Sequence, residues 1–302
     1  MMAELLRGKM MQKTKDQEGV KSHMSSYGLG PVETVLSVDE VERQAATLAA
    51  EGPDRGRLSE LAEKESLLTI EGLRAGYGKM VVLHKFDLQV GPGQSLCLIG
   101  PNGAGKSTVL HSIYGFTTIT GGTIKMRQKD ITRLSANEKL KRAGIAYILQ
   151  DKSIFPEMTV EENMIMGGFL MDKSSQAREA AEKVLNRYPR LKERRTQQAG
   201  VLSGGERRLL EITRALIMEP EVLLVDEPSI GLEPRYIEMV FEILADLQHN
   251  EGKTVVMVEQ NAKKGLEFAD IGYVLVSGQL AMAGSGDELL QSPEVGRLFL
   301  GG

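Results

Sequence analysis

SLCLIGPNGAGKST, residues 95–108, is the stretch of sequence that decides the fold. Its first part, residues 95–99, is short and apolar, which is typical of a buried strand. The pattern G-x-x-x-x-G-K-[ST] follows from Gly100 to Ser107, and a helix is predicted from Lys106 onward. A strand, a glycine-rich turn and a helix in this order predict a phosphate-binding P-loop.

The residue types of this loop suit a chain of phosphates. Its three glycines allow a tight curl in which successive backbone N–H groups face phosphate oxygens, and the helix start adds positive partial charge. Lys106 is expected to reach the β- and γ-phosphates, Ser107 to ligate Mg²⁺, and Thr108 to contact the α-phosphate. A purely structural glycine-rich turn is the alternative. The predicted nucleotide-binding run is Gly100, Pro101, Asn102, Gly103, Ala104, Gly105, Lys106, Ser107 and Thr108.

Strand-like and helical segments alternate along the rest of the chain. Strands are predicted within residues 67–78, 80–93, 95–100, 121–126, 144–149, 221–226 and 254–259, and a closing hairpin and helix within 272–290. Helices are predicted from residue 106 and within 161–196, 205–218 and 235–250. Strands separated by helices predict an α/β fold with a mostly parallel sheet covered on both faces.

The composition excludes several classes of protein. The chain has 302 residues, enough for one large or two modest domains. Its 37 Lys and Arg against 41 Asp and Glu give a net charge of −4, so charge alone recruits neither nucleic acid nor anionic lipid. The single cysteine excludes an intramolecular disulfide and a multi-cysteine zinc site. No run of about 18 apolar residues and no secretory signal is found, so a cytoplasmic location is expected.

Two acids follow an apolar strand in EVLLVDEP, residues 221–228. In open α/β sheets, ligands bind outside the carboxyl ends of the strands, which is where Asp226 and Glu227 are expected. Asp226 can hold Mg²⁺ through water, and Glu227 can accept a proton from an attacking water or orient it. A structural ion pair is the alternative, because acids ending a buried strand are costly without a cation or donor.

A second predicted anion site is LSGGERR, residues 202–208. Ser203 is a candidate helix cap, and Gly204 and Gly205 open the helix that follows. A generic cap needs only the serine. A second phosphate site in a chain with a complete P-loop suggests that it serves a nucleotide bound by another subunit.

The order of these motifs resembles the nucleotide-binding subunit of an ABC transporter. The resemblance covers residues 67–302 and adds an aromatic residue before the first glycine turn, Tyr77, and a glutamine ending a strand, Gln150. It implies a P-loop NTPase fold of ABC type, with a mixed sheet core, an antiparallel β subdomain and an α-helical subdomain at about 155–215. Residues 1–66 are then an N-terminal extension, expected to be partly disordered, with one short helix predicted from Ser37 to just before Gly52 and a second within residues 57–65.

The resemblance also implies roles for the nucleotide-contacting residues. Two subunits face head to tail, so that ATP lies between one P-loop and the partner's LSGGE segment. Ser203, Gly204 and Gly205 therefore serve the nucleotide across the interface, and Tyr77 stacks on adenine. A core or turn tyrosine is the alternative for Tyr77.

A second set of implied roles concerns hydrolysis itself. Glu227 is the expected catalytic base, while Lys106 and Gln260 stabilise charge. Ser107, Gln150 and Asp226 are expected to surround Mg²⁺, and Gln150 to sense the attacking water as well.

Two positions depart from the commonest pattern of the family. Gln260 stands where a histidine is usual, and its amide can donate a hydrogen bond but carries no positive charge. Slower or differently regulated hydrolysis is expected, rather than none. Glu233, one methylene longer, stands where an aspartate is usual in the loop through which the two subunits of the dimer communicate.

Several segments resemble, more narrowly, one of the two ATPases of branched-chain amino acid importers: VEQNA (258–262), DEPSIGL (226–232), RYPRLKERR (187–195) and the LFLGG ending. The implied partners are a second ABC ATPase subunit, in a homodimer or heterodimer, two transmembrane permease subunits and, indirectly, a solute-binding protein. The chain would then lie on the inner face of the plasma membrane, with Phe155 and Pro156 as candidate contacts to the permease. ATPases of urea or amide importers, and a soluble ABC protein outside transport, are the alternatives.

Five further residues carry no predicted chemistry. His23, His84, His111 and His249 show no metal-ligand spacing and are interpreted as structural. Cys97, in the middle of a predicted strand, is expected to be a small core residue.

Overall fold

The computed structural model of the chain describes residues 52–63, 65–150 and 153–300. The helix predicted to end before Gly52 lies outside these residues. The second short helix predicted in the extension, near residues 57–65, is present as Arg55–Leu61. Within the described part, no helix is long and apolar enough to cross a membrane.

The strands and helices follow one another in the predicted α/β alternation. The strands are β1 (Leu68–Tyr77), β2 (Met80–Val90), β3 (Ser95–Ile99), β4 (Thr118–Met126), β5 (Lys129–Asp130), β6 (Ile145–Ile148), β7 (Val222–Asp226), β8 (Thr254–Val258), β9 (Ile271–Val276) and β10 (Gln279–Ser285). The α-helices are α1 (Arg55–Leu61), α2 (Lys106–Tyr114), α3 (Ala136–Ala143), α4 (Val160–Gly167), α5 (Ser174–Arg187), α6 (Pro189–Lys192), α7 (Gly204–Ala215), α8 (Pro234–His249), α9 (Ala262–Phe268), α10 (Gly286–Gln291) and α11 (Pro293–Val295).

Two sheets organise the described residues. The larger has six strands in the order β10-β9-β3-β8-β7-β6. Its pairs β3–β8, β3–β9, β6–β7 and β7–β8 are parallel, and β10 joins β9 as an antiparallel edge strand. The smaller sheet, β2-β1-β4-β5, is antiparallel. The mixed core sheet and the antiparallel subdomain that the family resemblance implies are therefore confirmed.

The core lies on both faces of the six-stranded sheet. Side chains alternate along β3, so that Leu96 and Leu98 pack toward the antiparallel sheet and α2, while Cys97 and Ile99 pack toward the helices of the other face. Cys97 is fully buried, and burial raises the pKa of its thiol, as expected of a core residue. Because the sheet is buried on both faces, β3, β7 and β8 each carry four consecutive apolar residues, with one polar residue at an end of each strand.

In the described part of the chain, four helices begin with the same local signal, a capping box. The side chain of the first residue accepts from the backbone N–H three residues on, and the glutamate there bonds back to the first N–H. The pairs are Ser135–Glu138, Thr159–Glu162, Ser203–Glu206 and Ser285–Glu288.

The helical region predicted within residues 161–196 is broken into α4, α5 and α6. Gly168 follows α4, and a Cβ atom there would lie 2.7 Å from the Cβ of Ala177, so only glycine permits this close approach of the two helices. Pro189 opens α6, where its missing N–H costs no hydrogen bond. Gly168 and Pro189 cause the two breaks, and the spacing of apolar residues alone does not predict them.

Helix α1, from the predicted extension, packs against the antiparallel sheet, β10 and α10. Leu58 is fully buried in the core of the antiparallel sheet. The side chain of Arg55 lies 2.9 Å from Asp87 on β2, and that of Arg57 lies 2.6 Å from Glu288 on α10. These exposed ion pairs contribute little by themselves, so burial of Leu58 carries most of the docking energy.

Leu58→Ala is therefore expected to lower the free energy of unfolding by about 2–5 kcal/mol, through lost burial and the cavity left behind. The matched control is Glu60→Ala on the exposed side of the same helix, expected to change it by less than about 0.5 kcal/mol. Chemical denaturation of the full-length chain measures both. Equal values for the two variants would mean that α1 is not part of the folded core.

Lys139 is the one fully buried lysine among the described residues. Its Nζ donates to the carbonyl oxygen of Ser112 at 3.2 Å, in the last turn of α2, where the helix dipole favours a cation. Burial lowers the pKa of Lys139 from 10.5 to about 8. The folded chain thus holds this proton less tightly than the unfolded chain does.

A pH dependence of stability follows from that shift. Between pH 8 and 10.5 the unfolded state binds more protons through Lys139, so its contribution to the free energy of unfolding rises with pH. Lys139→Met removes this dependence. The free energy of unfolding of the variant minus that of wild type should be larger at about pH 7 than at about pH 10, by on the order of 2–3 kcal/mol. An identical difference at both pH values would mean that the pKa of Lys139 is ordinary.

Candidate functional site

The P-loop lies between the carboxyl end of β3 and the start of α2. Gly100, Gly103 and Gly105 have φ values of 144°, 81° and 99°, in the region that favours glycine. A Cβ atom on Gly100 would lie 2.2 Å from the carbonyl oxygen of Leu275 on β9, so this turn also requires glycine for space. The predicted strand, loop and helix are all present in the predicted order.

Lys106 lies across the mouth of the loop. Its Nζ donates to the carbonyl oxygens of Gly100 at 2.8 Å and Pro101 at 3.1 Å, and the residue is 7% exposed. Burial lowers the pKa of Lys106, while the charges of Glu227 and Asp226 act to raise it. The lysine is thus held as a cation at the loop by neutral carbonyl oxygens, which a phosphate oxygen can replace with a stronger, charge-assisted bond.

Asp226 and Ser107 meet at the edge of the central sheet. The Ser107 hydroxyl donates to Asp226 Oδ1 at 3.0 Å, and the Tyr147 hydroxyl donates to Oδ2 at 2.8 Å. A hydroxyl and a carboxylate suit Mg²⁺, which binds few protein oxygens and keeps water and substrate phosphates as its other ligands. No group of three or more His, Cys, Asp or Glu side chains that could hold a metal by itself is found among the described residues.

Gln150 and Glu227 form a pair beside this site. The Gln150 side-chain amide donates to Glu227 Oε2 at 3.0 Å. Burial raises the pKa of Glu227, and the charge of Asp226 adds to the effect, while Lys106 opposes it. The backbone φ of Glu227 is 42°, uncommon for a residue with a side chain, and its N–H donates to the Val258 carbonyl oxygen at 2.9 Å. Such strain is concentrated at functional sites.

Gln260 follows β8 and is exposed. The residue before it, Glu259, is 1% exposed, and its Oε1 accepts from the Ser229 hydroxyl at 2.7 Å and from the Asn261 N–H at 2.9 Å. Ser229 lies in the loop that follows Glu227. Glu259 therefore ties the loop after the strand acids to the loop that carries Gln260.

The LSGGE segment forms the start of α7. Ser203 caps the helix in a capping box with Glu206, Gly204 is exposed, and Gly205 is buried against the ring of Tyr236. A Cβ atom on Gly205 would lie 2.0 Å from Tyr236 Cδ1, so this helix start tolerates no side chain there. The hydroxyl oxygen of Ser203 accepts a hydrogen bond from the Glu206 N–H in the same helix start.

Tyr77 ends β1 and is 39% exposed. Its hydroxyl is hydrogen-bonded to Nδ1 of His111 on α2, and the two rings meet edge to face. His111, interpreted from the sequence as structural, thus contacts a residue of the predicted nucleotide site. The face of the Tyr77 ring remains the candidate surface for a nucleobase.

The structure joins most of the predicted residues into one network and leaves some apart. Lys106, Ser107, Gln150, Asp226 and Glu227 lie together at the carboxyl edge of β3, β6 and β7. Ser203, Gly204 and Gly205 lie apart from this network, at the start of α7.

Two polar residues of the site escaped the sequence analysis. Tyr147 is one of them; its position within an otherwise apolar strand is the only local signal of its bond to Asp226. The other is Glu259, an acid directly after an apolar strand, which is the same signal that singled out Asp226 and Glu227.

This arrangement is that of the ATP-binding subunit of an ABC transporter. It combines a P-loop with two acids at the end of a strand, a glutamine bonded to the second acid and a separate glycine-rich helix start. The chain belongs to this family: a relative that is an ABC transporter ATP-binding protein is 42% identical over its whole length, and the family description, ABC transporter, matches residues 83–230. Members of the family are ATPases coupled to transport, and this chain is such an ATPase.

Similar proteins cover most of the chain. The high-affinity branched-chain amino acid transport ATP-binding protein BraG of Pseudomonas aeruginosa is 42% identical over 236 residues, 78% of this chain and 100% of that protein. The probable branched-chain amino acid transport ATP-binding protein LivF of Archaeoglobus fulgidus is 35% identical over 229 residues, 76% of this chain and 96% of that protein. A crystal structure of an ATP-binding cassette of an ABC transporter in its ADP conformation matches with TM-score 0.69 and 29% identity, covering 79% of this chain and 100% of that chain.

Glu227→Gln is expected to lower kcat for ATP hydrolysis by about 10²–10⁴-fold, because the amide accepts no proton from water. ATP affinity should be retained, since Lys106 and the P-loop backbone are untouched. Turnover and equilibrium binding of ATP measure the two effects, with Glu242→Gln, an exposed glutamate on α8, as the matched control. Turnover at the wild-type rate in Glu227→Gln would remove Glu227 from the mechanism.

Proposed function

We propose that the chain is the ATP-hydrolysing subunit of an importer for branched-chain amino acids. The hydrogen bond between Gln150 and Glu227, at the sheet edge that also carries Lys106 and Asp226, supports the reaction most directly. The substrate is supported by BraG and LivF, whose names assign them to branched-chain amino acid transport.

The bound nucleotide would be held by the P-loop and by Lys106. The loop N–H groups and the start of α2 face the phosphates, and Lys106 exchanges its two carbonyl partners for β- and γ-phosphate oxygens. Ser107, Asp226 and Gln150 would hold Mg²⁺. When bound, Mg²⁺ neutralises charge on the phosphate oxygens and makes the γ-phosphate a better electrophile.

Hydrolysis then requires one proton transfer to the protein. Water attacks the γ-phosphorus, the bond to the β-phosphate oxygen breaks, and ADP and phosphate result. Glu227 takes a proton from the attacking water. The Gln150 amide, which is hydrogen-bonded to Glu227 in the structure, orients the Glu227 carboxylate and the water. The raised pKa of Glu227 makes it a stronger base than an ordinary carboxylate. Gln260 donates a hydrogen bond to a γ-phosphate oxygen but adds no charge.

A second ATPase subunit would complete the site. Its Ser203–Gly205 helix start, or the equivalent segment of a related chain, would lie against the γ-phosphate bound at this chain's P-loop. Gly204 is exposed at the start of α7, which permits that approach. Tyr77 would stack on adenine through its exposed ring face.

Two exposed aromatic residues support contact with a permease. Phe169 is 76% exposed and Phe155 is 45% exposed, and both line one groove of about 300 Å³ together with Met166 and Tyr147. Exposed apolar grooves of this kind mark protein contacts. The groove begins beside Tyr147, the residue bonded to Asp226, so a permease seated there lies next to the hydrolytic site. The chain would thus work peripherally on the inner face of the plasma membrane.

The related urea or amide importers remain the second candidate for the substrate. The ATP site itself does not distinguish them, because the transported molecule binds to other subunits. A soluble ABC protein outside transport is disfavoured by the exposed aromatic groove and by the names of the relatives.

Uptake measurements separate these candidates. In a strain lacking this gene, uptake of labelled leucine should fall to background, whereas uptake of labelled urea and of a short amide should be unchanged. Complementation with the wild-type gene restores leucine uptake, and complementation with Lys106→Ala does not, because that chain lacks the phosphate-binding cation. Loss of urea or amide uptake with normal leucine uptake would replace the substrate. No change in any of the three would overturn the assignment to these importers.

A further inference from the structure

Arg208 occupies an unusual place between the helix start of LSGGE and the hydrolytic residues. It lies on α7, is 5% exposed, and uses both terminal nitrogens of its guanidinium. One donates to the carbonyl oxygen of Leu149 at 2.7 Å, and the other donates to the carbonyl oxygen of Asp226 at 3.2 Å. Leu149 directly follows β6, and Asp226 is the last residue of β7, the parallel neighbour of β6.

Both acceptor oxygens belong to the peptide units that directly precede Gln150 and Glu227, the two residues proposed to act in hydrolysis. Leu149 directly precedes Gln150, and Asp226 directly precedes Glu227. The Gln150 amide and the Glu227 carboxylate are themselves 3.0 Å apart. One guanidinium therefore fixes the spacing of the two backbone segments on which this pair depends.

The charge of Arg208 is balanced within the same helix. Glu211 Oε2 lies 2.9 Å from Arg208, and the two side chains are 10% and 5% exposed. Within the described residues Arg208 Nε has no hydrogen-bond partner, a cost that a group kept only for stability would avoid. The planar guanidinium can reach two carbonyl oxygens at once, which a lysine ammonium on a flexible stem does less well.

Arg208 also belongs to the helix that opens with Ser203, Gly204 and Gly205. Arg208 lies five positions after Ser203, about 7.5 Å along the helix axis. A shift of the helix start therefore moves the guanidinium, and with it the peptide units before Gln150 and Glu227.

We propose that Arg208 is a positioning residue that couples the two nucleotide sites of the dimer. The inference rests on the proposed function, in which Ser203–Gly205 contacts the nucleotide bound by the partner subunit. Contact with that nucleotide sets the position of α7. Arg208 moves with α7 and so changes the positions of Gln150 and Glu227 in its own subunit. Hydrolysis at one site thus depends on occupancy of the other.

The test compares steady-state ATP hydrolysis by full-length wild type, Arg208→Gln and Arg208→Lys over a range of ATP concentrations. Arg208→Gln should lose about ten- to a hundredfold in kcat, since a small misplacement of reacting groups costs that much. Its KM for ATP should stay within about twofold, because the P-loop is unchanged. Its Hill coefficient should fall to 1, while wild type exceeds 1. Arg208→Lys should recover part of the kcat.

Two controls keep the outcome interpretable. Arg178→Gln removes an exposed arginine from α5, in the same helical region, and should match wild type in kcat and Hill coefficient. Thermal unfolding and equilibrium binding of ATP show whether Arg208→Gln is folded and loaded. A folded, ATP-binding Arg208→Gln with wild-type kcat and Hill coefficient would overturn the proposal alone. Wild type with no hydrolysis, alone or with its partner subunits, would overturn the proposed function as well.

Discussion

The position of Lys106 among oxygen atoms at one edge of the central sheet is the interaction on which the rest of the site depends. Two carbonyl oxygens hold its ammonium, and the carboxylates of Asp226 and Glu227 act on its charge. These groups lie at or just beyond the carboxyl ends of β3 and β7, which share one edge because the sheet is parallel there. A shift of one strand by a single residue would turn the acids away from the loop.

Burial around this edge determines the chemistry. Acids and a lysine placed close together, and shielded from water, would be costly unless each charge met a partner. Ser107 and Tyr147 satisfy Asp226, Gln150 satisfies Glu227, and Ser229 with the Asn261 N–H satisfies one oxygen of Glu259. In the proposed function, a nucleotide with Mg²⁺ would bring the remaining partners. The site is thus built in advance of its ligand, which is how electrostatic catalysis avoids reorganisation during the reaction.

Most of the fold and of the candidate site could be predicted from local sequence. The P-loop, the acids of β7 and the cap of α7 were predictable because their chemistry is set by residues adjacent in the chain. Tyr147, Glu259 and Arg208 were not, because each acts through a contact with another element that no local spacing reveals. The break after α4 escaped for a related reason: Gly168 is required by the closeness of Ala177, a tertiary fact. Helix α1 lies before the span matched in the relatives' family profile, yet Leu58 is buried as deeply as any core residue.

The claim that Lys106 leaves its carbonyl partners for the phosphates of ATP is tested most directly by a crystal structure of Glu227→Gln with ATP and Mg²⁺. We expect Lys106 Nζ within hydrogen-bond distance of β- and γ-phosphate oxygens, and Mg²⁺ bound beside Ser107 and Asp226. Nucleotide bound elsewhere, or bound at the loop with Lys106 still on Gly100 and Pro101, would contradict the account.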